Sequence, residues 1–302
     1  MSLIFFGTGS FAIPSLRILA NDVSLVVTQP DRPSGRGLRL TPSPIKLQAI
    51  ELGLPVETPE KSRAPEWIER FLEIKPDALV VASYGQILSQ RLLDTAKFGG
   101  INLHGSILPK YRGAAPIQRC LLNGEPQTGV TLMQMDKGMD TGAIIDIRRC
   151  EILADETYGD LQFRLAAIAA EMAQEWMPRI VAGNYPIQPQ INEDATYAAK
   201  IEKSEAELIF GRPAHEEYAR FRAFTPEPGA FVRSAHGLLR LSQARLSERL
   251  GEPSEVISTS PLTVGFLNGS IELHEVQPEG KKRMTGRDFA NGARLRPGSR
   301  LV

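Results

Sequence analysis

The sequence predicts an α/β protein: a Rossmann-like, doubly wound, mostly parallel sheet followed by a smaller β domain. Three observations carry this. A short apolar run at residues 3–6 leads through Gly7-Thr8-Gly9-Ser10 into a helical segment and then a second strand-like stretch at 23–28, which is the strand–turn–helix–strand unit that begins such sheets. Residues 78–82 are wholly apolar, as a strand covered on both faces requires. Beyond residue 224, short strand-like runs at 230–233, 238–241, 262–265 and 271–276 alternate with turn residues, a spacing that suggests a small β-barrel.

The chain has 302 residues, 42% hydrophobic and 23% charged, an ordinary globular composition with room for two domains. The expected boundaries are 1–184 for a first domain, 185–202 for a polar linker and 203–302 for the second domain. No run of about 18 apolar residues suggests a membrane span. The amino terminus enters a strand without a basic or long apolar leader, so a cytoplasmic protein is expected. Cys120 and Cys150 have no metal-ligand spacing and suit a reducing compartment. His215, His236 and His274 are scattered and also lack ligand spacing. The zero net charge hides a gradient: residues 1–202 carry 20 Lys/Arg against 23 Asp/Glu, and residues 203–302 carry 15 against 12. Lys281, Lys282, Arg283, Arg287, Arg294, Arg296 and Arg300 crowd the last stretch. Such a cluster reads equally as a solvated surface or as a phosphate-facing patch.

The elements follow in order. Ser10 is a candidate N-cap for a helix reaching about residue 20. Residues 28–44 form a long Gly/Pro-rich loop holding Arg32, Arg36 and Arg39, and a loop of that length in a compact domain is usually functional. Helices are expected at 45–52 and 64–74, the latter with Trp67, Ile68, Phe71 and Leu72 on a core face, and a short strand at Val56. After the strand at 78–82 comes Ser83-Tyr84-Gly85-Gln86-Ile87-Leu88. Further helices are expected at 116–122, 157–181 and 213–224, the last with Arg220 and Arg222 solvated. Strands at 130–135 and 143–147 flank a turn carrying Asp136 and Asp140.

Gly7-Thr8-Gly9-Ser10-Phe11-Ala12 fits the dinucleotide fingerprint G-x-G-x-x-G/A. The acid that should end the second strand is displaced: Thr28, Gln29 and Pro30 precede Asp31. The fingerprint is therefore weak evidence for a nicotinamide cofactor.

The stretch from Gly100 to Gln118 is the most informative. It begins as a strand in which Ile101 and Leu103 point to one face and Asn102 and His104 to the other. An amide donor and an imidazole then sit together at a strand end. Gly105 and Pro109 break the strand into a loop closed by Gly113 and Pro116. In an open α/β sheet this is where chemistry is placed.

Asn102-Leu103-His104-Gly105-Ser106-Ile107-Leu108-Pro109 with Tyr111-Arg112-Gly113, and Asp140-Thr141-Gly142 beyond it, resemble the signature of the formyltransferases that use 10-formyltetrahydrofolate. Gly113-Ala114-Ala115-Pro116-Ile117-Gln118 and Met133-Gln134-Met135-Asp136 are similar to the group that formylates methionyl initiator tRNA. The resemblance runs from the first strand to the carboxyl-terminal residues. It implies transfer of a formyl group from 10-formyltetrahydrofolate to the α-amino group of charged initiator methionyl-tRNA, with tetrahydrofolate released and no metal needed. It makes the second domain an OB-like, tRNA-binding barrel, and a monomer without membrane association is expected.

By the same resemblance Asn102, His104 and Asp140 are the catalytic residues. Ser106, Ile107, Leu108 and Pro109, with Ile87 and Leu88, border the folate. Arg36 grips the tRNA acceptor stem, and Phe11 is either a wall of the methionine pocket or a core residue of the first helix. Two positions depart from the family pattern: Gly9 stands where proline is more frequent, and Leu38-Arg39 where a lysine pair is. Formyl transfer to an amine needs an oxyanion donor, which Asn102 can be, and a proton shuttle, which His104 can be. Asp140 would orient and charge-stabilise His104, with Asp136 the rival carboxylate. Three other readings are open: the same transfer to a small amine such as an aminosugar nucleotide, a dinucleotide-dependent oxidoreductase, and a non-catalytic RNA-binding module.

Overall fold

The computed structural model of the chain describes residues 1–34 and 39–302. Its strands are β1 (Leu3–Gly7), β2 (Val23–Val27), β3 (Arg32–Ser34), β4 (Arg39–Thr41), β5 (Val56–Glu57), β6 (Ala78–Ala82), β7 (Gly100–His104), β8 (Arg112–Gly113), β9 (Gln127–Gln134), β10 (Ile144–Glu151), β11 (Tyr197–Ala198), β12 (Phe231–Ser234), β13 (Gly237–Ser247), β14 (Val256–Thr259), β15 (Leu262–Phe266), β16 (Gly269–Pro278) and β17 (Met284–Thr285). Its α-helices are α1 (Ile13–Leu19), α2 (Pro44–Glu51), α3 (Pro65–Ile74), α4 (Gln90–Leu93), α5 (Pro116–Leu122), α6 (Tyr158–Val181), α7 (Ala214–Ala223) and α8 (Gly286–Gly292).

The chain divides into two compact units. The first comprises residues 1–116, 127–151 and 162–199, and the second residues 117–126, 152–161 and 200–302. In the first, a seven-stranded sheet runs in the order β10-β9-β7-β6-β1-β2-β5. The five strands from β7 to β5 are parallel, and β9 and β10 add antiparallel at one edge. The order reverses at β1, which pairs with β2 on one side and β6 on the other. The sequence accounts for this centre. Every residue of β1 and of β6 is buried, so only continuous apolar runs satisfy both faces. Ile4, Phe6, Leu79 and Val81 build one core with Ile68, Phe71 and Tyr84, and the Phe6 ring meets those of Phe71 and Tyr84 edge-on. Proline at the first turn starts α3, and Lys75 ends it in the left-handed conformation.

Three local expectations are corrected here. Ser10 does not cap the first helix: it opens a 3-10 turn, no side-chain cap is formed, and its hydroxyl donates to Gln162 Oε1 at 3.2 Å. Leu72 does not join the core face of α3 but is 49% exposed. The 28–44 stretch is not loop throughout, because β3 and β4 pair as an antiparallel hairpin. Gly35–Leu38, including Arg36 and the Gly35–Gly37 tip, lie outside the described residues.

In the second unit a six-stranded antiparallel sheet follows the path β12-β13-β16-β15-β14, with β17 beside β16. The short strand-like runs mark its strands, although β13 and β16 are longer than those runs, at 11 and 10 residues. Alternating burial along β13 explains this, since charged residues occupy the open face. Arg220 is not solvated. It pairs with the fully buried Glu217 at 3.2 Å and donates to Glu205 O at 2.8 Å, because a buried carboxylate must be paired. Arg222 likewise donates to Ala154 O. Among the described residues no helix is long and apolar enough to cross a membrane.

Candidate active site

β1, β6 and β7 end at the same edge of the parallel sheet, beside the point where the strand order reverses. Asn102 and His104 occupy the end of β7 and are 8% and 6% exposed. The antiparallel neighbour β9 sets Met133 opposite Asn102 and Thr131 opposite His104. The turn from β9 to β10 brings Asp140 to the same place. Asn102 Nδ2 donates to Asp140 Oδ1 at 3.2 Å, and His104 Nδ1 lies 3.7 Å from Asp140 Oδ2. The latter is an ion-pair distance rather than a hydrogen bond. The Gly113 amide donates to Asp140 Oδ2 at 2.9 Å, so the carboxylate is held from two sides.

The imidazole has a defined polarity. His104 Nε2 is 2.9 Å from Tyr111 O. A carbonyl oxygen only accepts, so Nε2 carries the hydrogen. Nδ1 is then the atom free to gain or lose a proton, and it faces the carboxylate.

The loop after β7 is folded back on the strands. Buried Thr131 donates through its hydroxyl to Ser106 O at 2.6 Å and accepts from Leu108 N at 3.1 Å. Ser106 Oγ donates to Lys110 O at 2.7 Å. Ser106 and Leu108 are buried, Ile107 and Pro109 half-buried. Ile87 is exposed, whereas Leu88 belongs to the core built on Ile4 and Phe6. Phe11 is 4% exposed.

Asp136 has a different occupation from Asp140. Its Oδ1 accepts from Gly138 N at 2.9 Å and Thr141 Oγ1 at 2.6 Å, which folds the turn. Asp140 itself adopts φ 53°, a left-handed conformation that aspartate tolerates better than most residues. Gly142 follows because a Cβ there would stand 1.8 Å from Gln134 O. An open cavity of about 500 Å³ beside this turn is lined by Asp136, Thr141, Gly142, Gln190 and Asn192 among others.

The turn after β1 has another use for its amides than a dinucleotide. Thr8 N and Gly9 N both donate to Ser83 O, at 3.0 and 3.4 Å, which takes up the donors a pyrophosphate would need.

Sequence reasoning missed the part played by residues 185–199. Gln188 pairs with Ile144, and β11 pairs with β8. Gln190 Nε2 donates to Asp140 O at 2.9 Å and Gly142 O at 2.8 Å. Its Oε1 accepts from Arg112 Nε and Nη2 at 3.1 and 2.8 Å, and Arg112 Nη2 also donates to Asn192 Oδ1 at 3.0 Å. Arg112 is 2% exposed. No signal in the sequence marks this circuit: that Arg112 is buried, and so demands polar partners such as Gln190 and Asn192, is visible only in the fold.

Comparison with known proteins identifies the family. Residues 3–209 match the formyl transferase family and residues 200–294 its C-terminal domain. The methionyl-tRNA formyltransferase of Geobacter metallireducens is 41% identical over 100% of this chain and 98% of its own. That of Myxococcus xanthus is 42% identical over 98% and 96%. Among solved structures, the N-formyltransferase of Helicobacter canadensis, in complex with folinic acid and dTDP-3-aminofucose, superposes with TM-score 0.69 at 21% identity, covering 90% of this chain and 98% of that one. HypX of Aquifex aeolicus, in complex with tetrahydrofolic acid, gives 0.65 at 16%, covering 96% of this chain and 47% of its own. The last two show the fold alone. With two family models in tandem and relatives more than 40% identical along the whole chain, the protein belongs to the methionyl-tRNA formyltransferase family.

Proposed function

We propose that this protein transfers the formyl group of 10-formyltetrahydrofolate to the α-amino group of methionyl initiator tRNA, giving N-formylmethionyl-tRNA and tetrahydrofolate. The observation that carries the proposal is the meeting of Asn102, His104 and Asp140 at the end of β7, in a chain about 41% identical throughout to methionyl-tRNA formyltransferases.

The amine nitrogen attacks the formyl carbon, its proton leaves, and the carbonyl oxygen becomes an oxyanion. One N–H of the Asn102 amide is engaged by Asp140; the second is free to meet the oxyanion, a contact worth roughly 10²–10³ in rate. Nδ1 of His104 accepts the amine proton and returns it to the departing folate nitrogen, a role worth roughly 10²–10⁴. The carboxylate 3.7 Å away stabilises the imidazolium in between. The carbon–nitrogen bond to folate then breaks and the neutral amide product leaves. None of these steps calls for a metal.

In this reading residues 1–184 carry the catalytic groups, the stretch to residue 199 packs with them in the same unit rather than serving as a free linker, and 203–302 form the tRNA-binding domain. The loop after β7 offers Ser106–Pro109 to the folate, with Ile87 and Leu88 nearby. Arg36 and the basic carboxyl-terminal stretch meet tRNA phosphates. The enzyme acts in the cytoplasm as a monomer.

The test is to follow tetrahydrofolate release from 10-formyltetrahydrofolate with methionyl initiator tRNA and, separately, with an aminosugar nucleotide. Turnover with the charged tRNA alone is expected. Turnover with the sugar alone would overturn the acceptor, and turnover with neither would overturn the reaction.

A further inference from the structure

Asp140 bonds to neighbours through its carboxylate, but its backbone is left-handed and lies in a turn rich in glycine. Something must hold that turn in place. Asp136 folds it internally, which sets its shape and not its position against β7. The attachment comes from a segment about fifty residues further on. Gln190 inserts one amide group between two demands: its nitrogen donates to the carbonyl oxygens of Asp140 and Gly142, and its oxygen accepts from the buried guanidinium of Arg112. Arg112 is the residue just before Gly113, whose amide holds the Asp140 carboxylate. The circuit closes on itself: the Asp140 carboxylate meets Gly113, Gly113 follows Arg112, Arg112 grips Gln190, and Gln190 grips the Asp140 backbone.

We propose that Gln190 is a positioning residue for the formyl transfer, one that fixes the Asp140 carboxylate against Asn102 and His104 by clamping the Asp140–Gly142 turn to Arg112. The inference rests on the reading of Asn102, His104 and Asp140 as the reacting groups. Only an amide meets both demands. The two carbonyls require a donor with two hydrogens, and the guanidinium requires an acceptor, on one side chain. A carboxylate would pair better with Arg112, yet it would set a negative oxygen against two carbonyl oxygens.

Gln190→Glu therefore separates the roles. It keeps, and strengthens, the link that satisfies the buried arginine, while it removes both donors to the turn. The variant is expected to fold and melt cooperatively, a few degrees below the wild type, because the stronger link to Arg112 offsets only part of the two lost bonds. Its KM for tRNA and for folate is expected to stay unchanged while kcat falls about 10²-fold, the scale that an ångström of misplacement costs. Because Gln190 acts through Asp140, adding Gln190→Glu to Asp140→Asn should cause little further loss, whereas independent effects would multiply. An unchanged kcat, or multiplied losses, overturns the inference. A readout independent of catalysis comes from the Gly113 amide. Its hydrogen exchange should quicken in Gln190→Glu, since its acceptor is the Asp140 carboxylate; unchanged exchange also overturns it. If the wild type proves to transfer no formyl group, the function falls, and the exchange measurement alone decides whether Gln190 sets the turn.

Discussion

Replacing Asp140 with asparagine tests the electrostatic core of the proposed mechanism with little disturbance of the fold. Asparagine has nearly the same shape and is among the few residues at ease with positive φ, so the 53° at this position is no obstacle. What disappears is the charge opposite His104 Nδ1. At the observed 3.7 Å, an ion pair in an effective dielectric of about 20 is worth on the order of 4 kcal/mol. The Asp140 side chain is 15% exposed, and water screening reduces this to roughly 2–3 kcal/mol. Asn102 Nδ2 and Gly113 N both donate to the carboxylate. An amide oxygen can serve only one of them well, which adds about 1 kcal/mol. If the imidazolium forms in the transition state, the barrier rises by about 3–4 kcal/mol and kcat falls about 10²–10³-fold. Single-turnover formylation of charged tRNA under saturating folate reads this directly, with the melting temperature as a check on folding. A folded Asp140→Asn enzyme with kcat within about fivefold of wild type would refute the placement of charge on His104.

Further consequences can be checked alongside. Asn102→Ala removes both the proposed oxyanion donor and a partner of Asp140, and should cost roughly 10²–10³ in kcat while folate and tRNA binding by equilibrium titration persist. Thr131→Val is close in shape but strands Ser106 O and Leu108 N in a buried place; each orphaned group costs about 1–3 kcal/mol, so thermal denaturation should show a clear loss and the KM for folate should rise. The Arg119 guanidinium hydrogen-bonded to Glu205, and to a smaller degree the Glu202 amide, hold the Glu205 carboxyl below its usual range against a smaller opposing effect of burial. A lowered folded-state value means stabilisation that is fully present above the unfolded value of 4.5 and lost as pH falls through the folded one. Glu205→Gln should therefore lower the melting temperature at neutral pH and lose less than the wild type on acidification below pH 4.5.

The sheet was legible because burial on both faces leaves little choice of residue. The apolar runs at β1, β2 and β6 read directly as strands. So did the local part of the site: Asn102 and His104 share a face by the two-residue period of a strand. The hairpin at β3 and β4 was not legible, since exposed Arg and Pro residues carry no burial pattern. Nor was the partner of Asp140. Its link to Asn102 spans 38 residues and that of Gln190 to Asp140 spans 50, and no periodicity reports a contact made by chain return. Ser10 shows the opposite failure: a good capping residue stands at the right place, and the chain uses it for a bond 152 residues away.

The return of residues 188–198 to the first unit also bears on how the site comes into being during synthesis. A nascent chain emerging from the ribosome would expose Asn102, His104 and Asp140 well before it exposed Gln190, Asn192, Thr196 and Ala198. In the interval the guanidinium of Arg112 would lack its amide partners, Gly113 would lack the strand at Tyr197–Ala198 that pairs with it, and the Asp140 turn would be free to move. A fragment that stops at residue 184 remains in that interval permanently: it carries every group proposed for the chemistry and none of the late residues that lock them. The first unit is thus completed by its last dozen or so residues, and its site cannot be locked before they leave the exit tunnel.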